Sequence, residues 1–315
     1  MTTNIVSPVH KDWIVFMDGE YINFSSATFL ASTQALNYGT GIFEGIRAYW
    51  DQDNNQLNLF RVHEHYERLI QSAKTLKIEL PYTSHELTDI TKNIIIKNGF
   101  KQDIYIRPLA LKKSLMPGEK FGVKLSGVDS TLCINMLPMG AYAKKTASKC
   151  LISKWRRVSN AAIPSSAKIT GTYVNSALAY EDAKEHGFDD AIMLNEQGMC
   201  AEASTSNVFI VKDNCVITPS LDSGILNGIT RQSVFDICKF HNIHCIESEV
   251  QQKDLYEADA CFLTGTGIEI SIVSQIDNIS YIQKEDSIAN IIAKDYQEIV
   301  RGRIGEFSHW LSPVY

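Results

Sequence analysis

No apolar run in this 315-residue chain approaches the ~20 residues that a membrane-spanning helix requires. A helical membrane protein is thereby excluded. The seven cysteines, Cys133, Cys150, Cys200, Cys215, Cys238, Cys245 and Cys261, are odd in number, scattered, and never form a C-x-x-C pair. That usage excludes a disulfide framework and a zinc knuckle, and fits reduced core or surface thiols in a cytosolic protein. Met1 to Lys11 lack the basic-then-apolar pattern of a secretory signal, so the expected location is cytoplasmic. Positive charge is short as well. A net charge of -6 and a pI near 5.8 deny the chain the basic face that a nucleic acid or an anionic membrane would favour. Neither partner is expected; small-molecule chemistry is. Nucleotide motifs are missing too. There is no G-x-x-x-x-G-K-[ST], and Gly39-Thr40-Gly41-Ile42-Phe43-Glu44-Gly45 brings its third glycine one place too late for G-x-G-x-x-G, which leaves a Rossmann dehydrogenase unsupported. His63-Glu64-His65-Tyr66-Glu67 lacks the H-E-x-x-H spacing that sets two imidazoles on one helical face. It reads as a polar helix face, and no metal site is expected.

What the chain does have is apolar content, 44%, enough for a sizeable core, and a length that suits two domains of ~150 residues. Trp13 to Phe16 reads as a strand before an Asp18-Gly19 turn. Val62, Tyr66, Leu69, Ala73 and Leu76 recur at helical spacing. Ser84 is a plausible cap for a second helix stopped by Gly99. Strands follow at Asp103 to Leu111 and Thr131 to Leu137. The apolar pattern breaks at Pro138, which suggests an N-terminal α/β domain over 1–137, a linker over 138–149 and a β-rich C-terminal domain over 150–315. In the last, strands are expected at 191–194, 208–211, 215–218 and 260–264, and helices at 173–186, 228–240 and 286–303. Repeats and low-complexity tracts are absent.

Lys168 lies among small and hydroxyl residues after Pro164 and before Gly171, a composition that reads as a tight loop entering a helix. Glu202 follows in a second polar segment, Cys200 to Asn207. An amine that can form an imine and a carboxylate that can keep a pyridine nitrogen protonated are what a pyridoxal phosphate site needs. Asn227-Gly228-Ile229-Thr230-Arg231 opens a predicted helix whose first N–H groups could face an anion. Thr264-Gly265-Thr266-Gly267 follows a strand and could curl around an oxyanion. An ordinary cap and an ordinary turn remain open for both. Tyr105 and Arg107, two apart on a strand, project to the same side, where a phenol and a guanidinium could recognise a carboxylate. The alternative is an exposed edge strand ending at Pro108.

Taken in order, Asn37 to Arg47, Tyr105-Ile106-Arg107-Pro108, the Lys168 run, Glu202 to Asn207, Gly228-Ile229-Thr230-Arg231 and Gly265-Thr266 resemble the class IV aminotransferases, most of all those acting on branched-chain amino acids. The resemblance spans about Trp13 to Arg303. It implies fold type IV of the pyridoxal phosphate enzymes, an α/β (α+β) fold with a smaller N-terminal domain, a larger β-rich C-terminal domain and the cofactor between them, in a homodimer or a higher homo-oligomer. By the same resemblance Lys168 corresponds to the imine lysine and Glu202 to the partner of the pyridine nitrogen. Tyr173 would bond the ring oxygen and Leu226 would pack on the ring. Arg61, Ile229, Thr230 and Thr266 would hold the phosphate. Tyr38 from the partner subunit, Phe43, Tyr105, Arg107 and Tyr142 would line the substrate pocket, with Gly265, Thr266 and Gly267 beside them. The implied reaction moves the amino group of L-leucine, L-isoleucine or L-valine to 2-oxoglutarate by a ping-pong cycle.

Some positions depart from the branched-chain pattern: Ala203 for a usual Gly, Ser206 for the common Glu before Asn207, Met139 for an occasional Trp, and Gly267-Ile268 for a frequent Ala pair. The Thr-Ser-Asn ending also resembles D-amino acid aminotransferases. That activity, an aminodeoxychorismate lyase, and a protein that carries the cofactor without turnover are the rival readings.

Overall fold

The computed structural model describes residues 12–114, 122–140, 147–282 and 284–315. The chain divides into two compact units. One runs to Gly140 and takes in Ala167–Gly171 and His309–Tyr315; the other holds the described residues from there to Ser166, and Thr172–Ser308. The sequence reading set the Lys168 run and the last residues in the C-terminal domain. Pairing over long sequence distances explains the difference. Ile169 bridges to Ile42, and the strand Leu311–Pro313 pairs antiparallel with residues 58–60.

In the first unit β1 (Ile14–Met17) and β2 (Glu20–Asn23) form a hairpin, and α1 (Gln34–Tyr38) leads to β3 (Gly41–Phe43) and β4 (Ile46–Asp51). After β5 (Gln56–Phe60) come the helices α2 (Val62–Thr75) and α3 (Ser84–Asn98), then the strands β6 (Ile104–Lys112) and β7 (Ser130–Pro138). The sheet runs, from one edge, through Leu311–Pro313, β5, β4, β6, β7, β1 and β2, with β3 also paired to β6. Burial alternates without a break along β6: Ile104, Ile106, Pro108, Ala110 and Lys112 are buried, and Tyr105, Arg107, Leu109 and Leu111 are half-buried on the other face. This strand is central and not an edge. Pro108 is tolerated because its N and O face the break between β3 and β4; its carbonyl accepts from Glu44 N–H at 3.0 Å, and no ladder bond from its own nitrogen is called for.

The helices α2 and α3 pack on one another, with α2 against β3 and α3 against β1. The cap of α3 is Thr83, one residue before the expected Ser84. Thr83 Oγ1 accepts from Glu86 N–H at 3.2 Å while the Glu86 carboxylate accepts from Thr83 N–H at 2.7 Å, and Gly99 ends the helix at φ +65°. On α2 the polar-face reading fails. His65 and Tyr66 are both buried, and only Glu67 of that run is exposed.

The second unit begins with β8 (Ser148–Ile152) and continues through α4 (Tyr173–Glu185), β9 (Asp190–Leu194), β10 (Cys200–Ala203), β11 (Asn207–Lys212) and β12 (Cys215–Pro219). Then follow α5 (Ile229–Phe240), β13 (Cys245–Ser248), α6 (Gln252–Tyr256), β14 (Ala260–Gly265), β15 (Glu269–Ile276), β16 (Ile279–Ser280) and α7 (Ile288–Val300). The sheet order is β10-β9-β8-β15-β14-β11-β12-β13, with β16 on β15. Alternation sorts the residues of β9 between two cores: Ala191 and Met193 meet Ala179 and Ala183 of α4, whereas Ile192 and Leu194 join a cluster with Val208, Ile210, Leu263, Val273 and Ile276. Cys150, Cys200 and Cys261 lie in that second cluster as packed thiols, and burial pushes the Cys200 thiol up to about 12. All seven cysteines are free.

Candidate active site

The first unit holds Lys168 and the groups that fix its loop. The Lys168 loop is stapled to the segment after α1: Phe43 N–H donates to Lys168 O at 3.2 Å, Thr170 Oγ1 donates to Gly39 O at 3.0 Å, and Gly171 N–H donates to the same carbonyl at 3.2 Å. From α2, Ser72 Oγ accepts the Lys168 backbone N–H at 3.2 Å. Lys168 Nζ then lies 4.9 Å from the centre of the Phe43 ring, and the Arg107 guanidinium lies 4.5 Å from the centre of that same ring. Tyr105 and Arg107 do project together, as strand spacing requires, and Arg107 Nη2 donates to Tyr105 Oη at 2.7 Å. Lys168, Phe43, Tyr105 and Arg107 are thus brought together.

Arg61 sits elsewhere in this unit, in the left-handed conformation (φ +47°) where β5 turns into α2. That is an uncommon state for a non-glycine residue and often marks a functional turn. Its N–H donates to Trp310 O at 2.7 Å, its guanidinium lies 4.7 Å from the Trp310 ring centre, and Nε donates to Glu64 at 2.8 Å. Tyr38 ends α1 with 43% of its surface exposed. Tyr142 lies outside the described residues.

The second unit holds Glu202 and the uncapped start of α5. Glu202, buried on β10, accepts from Leu226 N–H at 3.1 Å and from Asn207 Nδ2 at 3.3 Å. Arg157 Nε lies 2.7 Å from its other oxygen, a close ion pair without hydrogen-bond alignment. Asn207 also donates to Leu226 O at 2.9 Å and so clasps the chain just before α5. Gly228 is the N-cap of α5 and has no side-chain cap. A β-carbon there would stand 2.2 Å from Asn207 Oδ1. Ile229 and Thr230 open the helix, both buried, with N–H groups in the position where helices accept anions. Tyr173 begins α4 and is half-buried.

Gly265, Thr266 and Gly267 form the turn from β14 to β15. Glu269 closes it at φ +60°, and its carboxylate accepts from Gln297 Nε2 at 2.6 Å. Beside the turn the buried hydroxyls of Ser206 and Thr264 have no hydrogen-bond partner. Orphaned buried hydroxyls, an uncapped helix start, and a carboxylate held three residues before that start suit a flat ring with an anionic group at one end and a basic nitrogen at the other. The residues present therefore fit pyridoxal phosphate.

Several residues of the site went unread in the sequence. Arg157 stands in Trp155-Arg156-Arg157, which looks like surface charge. Ser72 looks like one more small residue on a helix. Glu44 did leave a signal, an acid inside the otherwise apolar and glycine-rich Gly41 to Ile46. It is wholly buried, with His65 Nδ1 at 2.8 Å and Arg68 Nε at 2.7 Å. Burial alone would raise the Glu44 carboxyl, but the charge of Arg68 and the hydrogen bonds from His65 and Arg68 outweigh it and hold the group well below the usual carboxylate range. Burial lowers His65, against the pull of Glu44, and because the ionised carboxylate can only accept, Nδ1–H is the donor.

Three comparisons bear on this arrangement. The family model for amino-transferase class IV matches residues 41–276. A probable branched-chain-amino-acid aminotransferase of Aquifex aeolicus is 40% identical over 303 residues, covering 95% of this chain and 96% of that one. Two solved structures superpose on nearly the whole chain. The branched-chain aminotransferase of Thermoproteus uzoniensis with norvaline gives a TM-score of 0.91 at 38% identity, covering 96% of this chain and 99% of that one. The branched-chain amino acid aminotransferase of Thermobaculum terrenum in its PLP-form gives 0.90 at 29%, covering 97% and 99%.

Proposed function

The chain belongs to the class IV aminotransferases, and from that premise we propose that it is a branched-chain amino acid aminotransferase of fold type IV that uses pyridoxal phosphate. It would move the amino group of L-leucine, L-isoleucine or L-valine to 2-oxoglutarate. The observation that carries this reading is the shared ring in the first unit: Phe43 has the Lys168 amine 4.9 Å and the Arg107 guanidinium 4.5 Å from its centre, an amine for the transfer beside a cation for an acidic substrate.

When bound, the cofactor supplies an aldehyde carbon to take up the amine and a protonated ring to withdraw electrons. Lys168 would hold it through Nζ, Glu202 would hold the ring nitrogen, Tyr173 the ring oxygen and Leu226 the ring face. The phosphate would fall to Arg61, the N–H groups of Ile229 and Thr230, and Thr266. With substrate bound, the Lys168 amine would accept its α-proton and return it, as general base and then general acid. Glu202, with Arg157 beside it, keeps a negative charge on the ring nitrogen's side throughout. A 2-oxo acid entering second runs the same proton movements in reverse.

Phe43, Tyr105 and Arg107 would line the substrate side, with Tyr38 reaching in from a partner subunit. Arg107 tolerates an apolar side chain nearby because the Tyr105 hydroxyl and the Phe43 ring keep its charge partnered, whereas an isolated buried charge would be prohibitive. A homodimer fits the surface of the first unit, where Leu30 and Leu36 are each 70% exposed. Lys168→Ala is the direct test. We expect loss of the visible absorbance of the lysine-bound cofactor and loss of L-leucine turnover; retention of both would end the assignment. A panel of L- and D-donors with 2-oxoglutarate separates the D-specific rival. Pyruvate release without an amino acceptor would reveal the lyase.

A further inference from the structure

We propose that the buried Glu44–His65–Arg68 cluster is a positioning device for the Lys168 amine, with α2 as the rigid bar that ties the two together. The inference rests on the assignment of Lys168 as the transferring amine. His65, Arg68 and Ser72 lie at i, i+3 and i+7 of α2, one face of one helix. Two of the three grip Glu44: His65 Nδ1–H at 2.8 Å, and Arg68 through Nε at 2.7 Å and Nη2 at 2.9 Å, one to each carboxylate oxygen. Gly45 N–H adds a fourth bond at 3.3 Å. The third, Ser72, takes the Lys168 backbone N–H.

Phe43 closes the loop. It precedes Glu44 in the chain, its N–H holds Lys168 O, and its ring faces Lys168 Nζ. The lysine backbone is therefore fixed at its N–H by α2 and at its C=O by the neighbour of a residue that α2 also fixes. A buried ion pair contributes little net stability compared with apolar residues of the same volume. What a fork-to-fork pair does supply is direction, because two parallel bonds fix both place and orientation of the carboxylate. An apolar residue at position 44 would fill the space but make no directional bond to α2, leaving the Phe43 backbone placed by its pairing with β6 alone.

The test uses the holoenzyme as Glu44→Gln, Arg68→Met, the double variant, and Ser72→Ala, each checked for fold by circular dichroism. Two readouts are taken: steady-state kinetics with L-leucine and 2-oxoglutarate, and the yield of cofactor fixed to Lys168 by borohydride reduction, located by peptide mass. For folded Glu44→Gln or Arg68→Met the expectation is a kcat lower by about 10²-fold with KM moved less than about threefold, the pattern of a reactive group displaced by roughly 1 Å. The fixed yield at equal cofactor should fall, and the double variant should be no worse than the worse single one. Ser72→Ala removes one backbone bond and no charge, so a fall in kcat of about fivefold is expected. Folded charge variants with parental kcat and parental yield overturn the proposal. So does parental Ser72→Ala, should the charge variants fail to fold. Failure of the underlying assignment looks different: Lys168→Ala would then keep turnover, or the reduced cofactor would sit on another lysine.

Discussion

Gly45→Ala is the most informative single substitution in the first unit. A β-carbon at this position would stand 2.0 Å from Tyr105 Oη and 2.8 Å from its Cζ. Reaching ordinary contact demands a retreat of the phenol by about 1.4 Å, which the far end of a side chain can make only by tilting the ring. The same oxygen accepts the 2.7 Å bond from Arg107 Nη2, so the tilt breaks or stretches a charge-assisted hydrogen bond. A bond of that kind contributes roughly 1.5–3 kcal/mol, which corresponds to about a ten- to hundredfold change in an equilibrium. We therefore expect kcat/KM for L-glutamate to fall by about that factor, while L-leucine, which needs no guanidinium for its side chain, loses about fivefold at most. Overpacking should also cost stability, by about 1–3 kcal/mol. Adding Tyr105→Phe removes the nearest atom and should recover part of that loss. The assay is steady-state kinetics with both donors, alongside a denaturant titration. Equal losses for the two donors would refute a selective role for the Tyr105–Arg107 pair, and parental kinetics with parental stability would refute the geometry itself. Gly305→Ala is the control, since a β-carbon there meets nothing within 4 Å.

Arg107→Met should raise KM for L-glutamate and 2-oxoglutarate far more than for L-leucine, by about tenfold or more for the acids; equal effects would remove its selective role. The pH response of His65 has a definite sign. Its folded pKa is lowered by burial, so its contribution to stability is full above the ordinary value of about 6.5 and is lost as pH falls through the lowered one. The gap in Tm between the parent and His65→Gln should accordingly be widest at pH 7.5 to 8 and shrink on acidification, and a gap that widens instead would contradict it. Native labelling with a maleimide, read by peptide mass, should reach the half-buried Cys215 and Cys245 first. Cys150, Cys200 and Cys261 should react only after unfolding, and early label on any of those three would contradict their packing.

The regular elements were legible where periodicity was strong. Val62, Tyr66, Leu69 and Ala73 are all buried on α2, and the Tyr105–Arg107 pair shares a face of β6 as a period of two demands. What misled was polarity taken as exposure. His65 reads as a surface residue because nothing within the helix offers it a partner; its partner, Glu44, is 21 positions earlier. Cys200 to Ala203 is a fully buried strand, and its one acid was noticed for chemistry and not for sheet pairing. Strands β13 and β15 were missed as well. β13 is short, and β15, Glu269 to Ile276, mixes serines and a glutamine with its isoleucines, so that alternation is blurred. Lys168 and Glu202, set in unusual sequence, stood out as candidates. Arg157 and Ser72, which hold another residue, carry no local signature, because their partners lie far along the chain.

The strand Leu311–Pro313 completes one edge of a sheet whose neighbouring strand ends at Phe60, and Trp310 holds the Arg61 backbone and covers its guanidinium. Some 250 positions part Arg61 from that tryptophan. At the ribosomal pace of ~5–20 residues per second, the cover reaches the arginine roughly ten to fifty seconds after the arginine itself is made. Throughout that interval β5 is an open border whose backbone groups face water or any strand that passes, and a nascent chain stalled before Trp310 would leave it so.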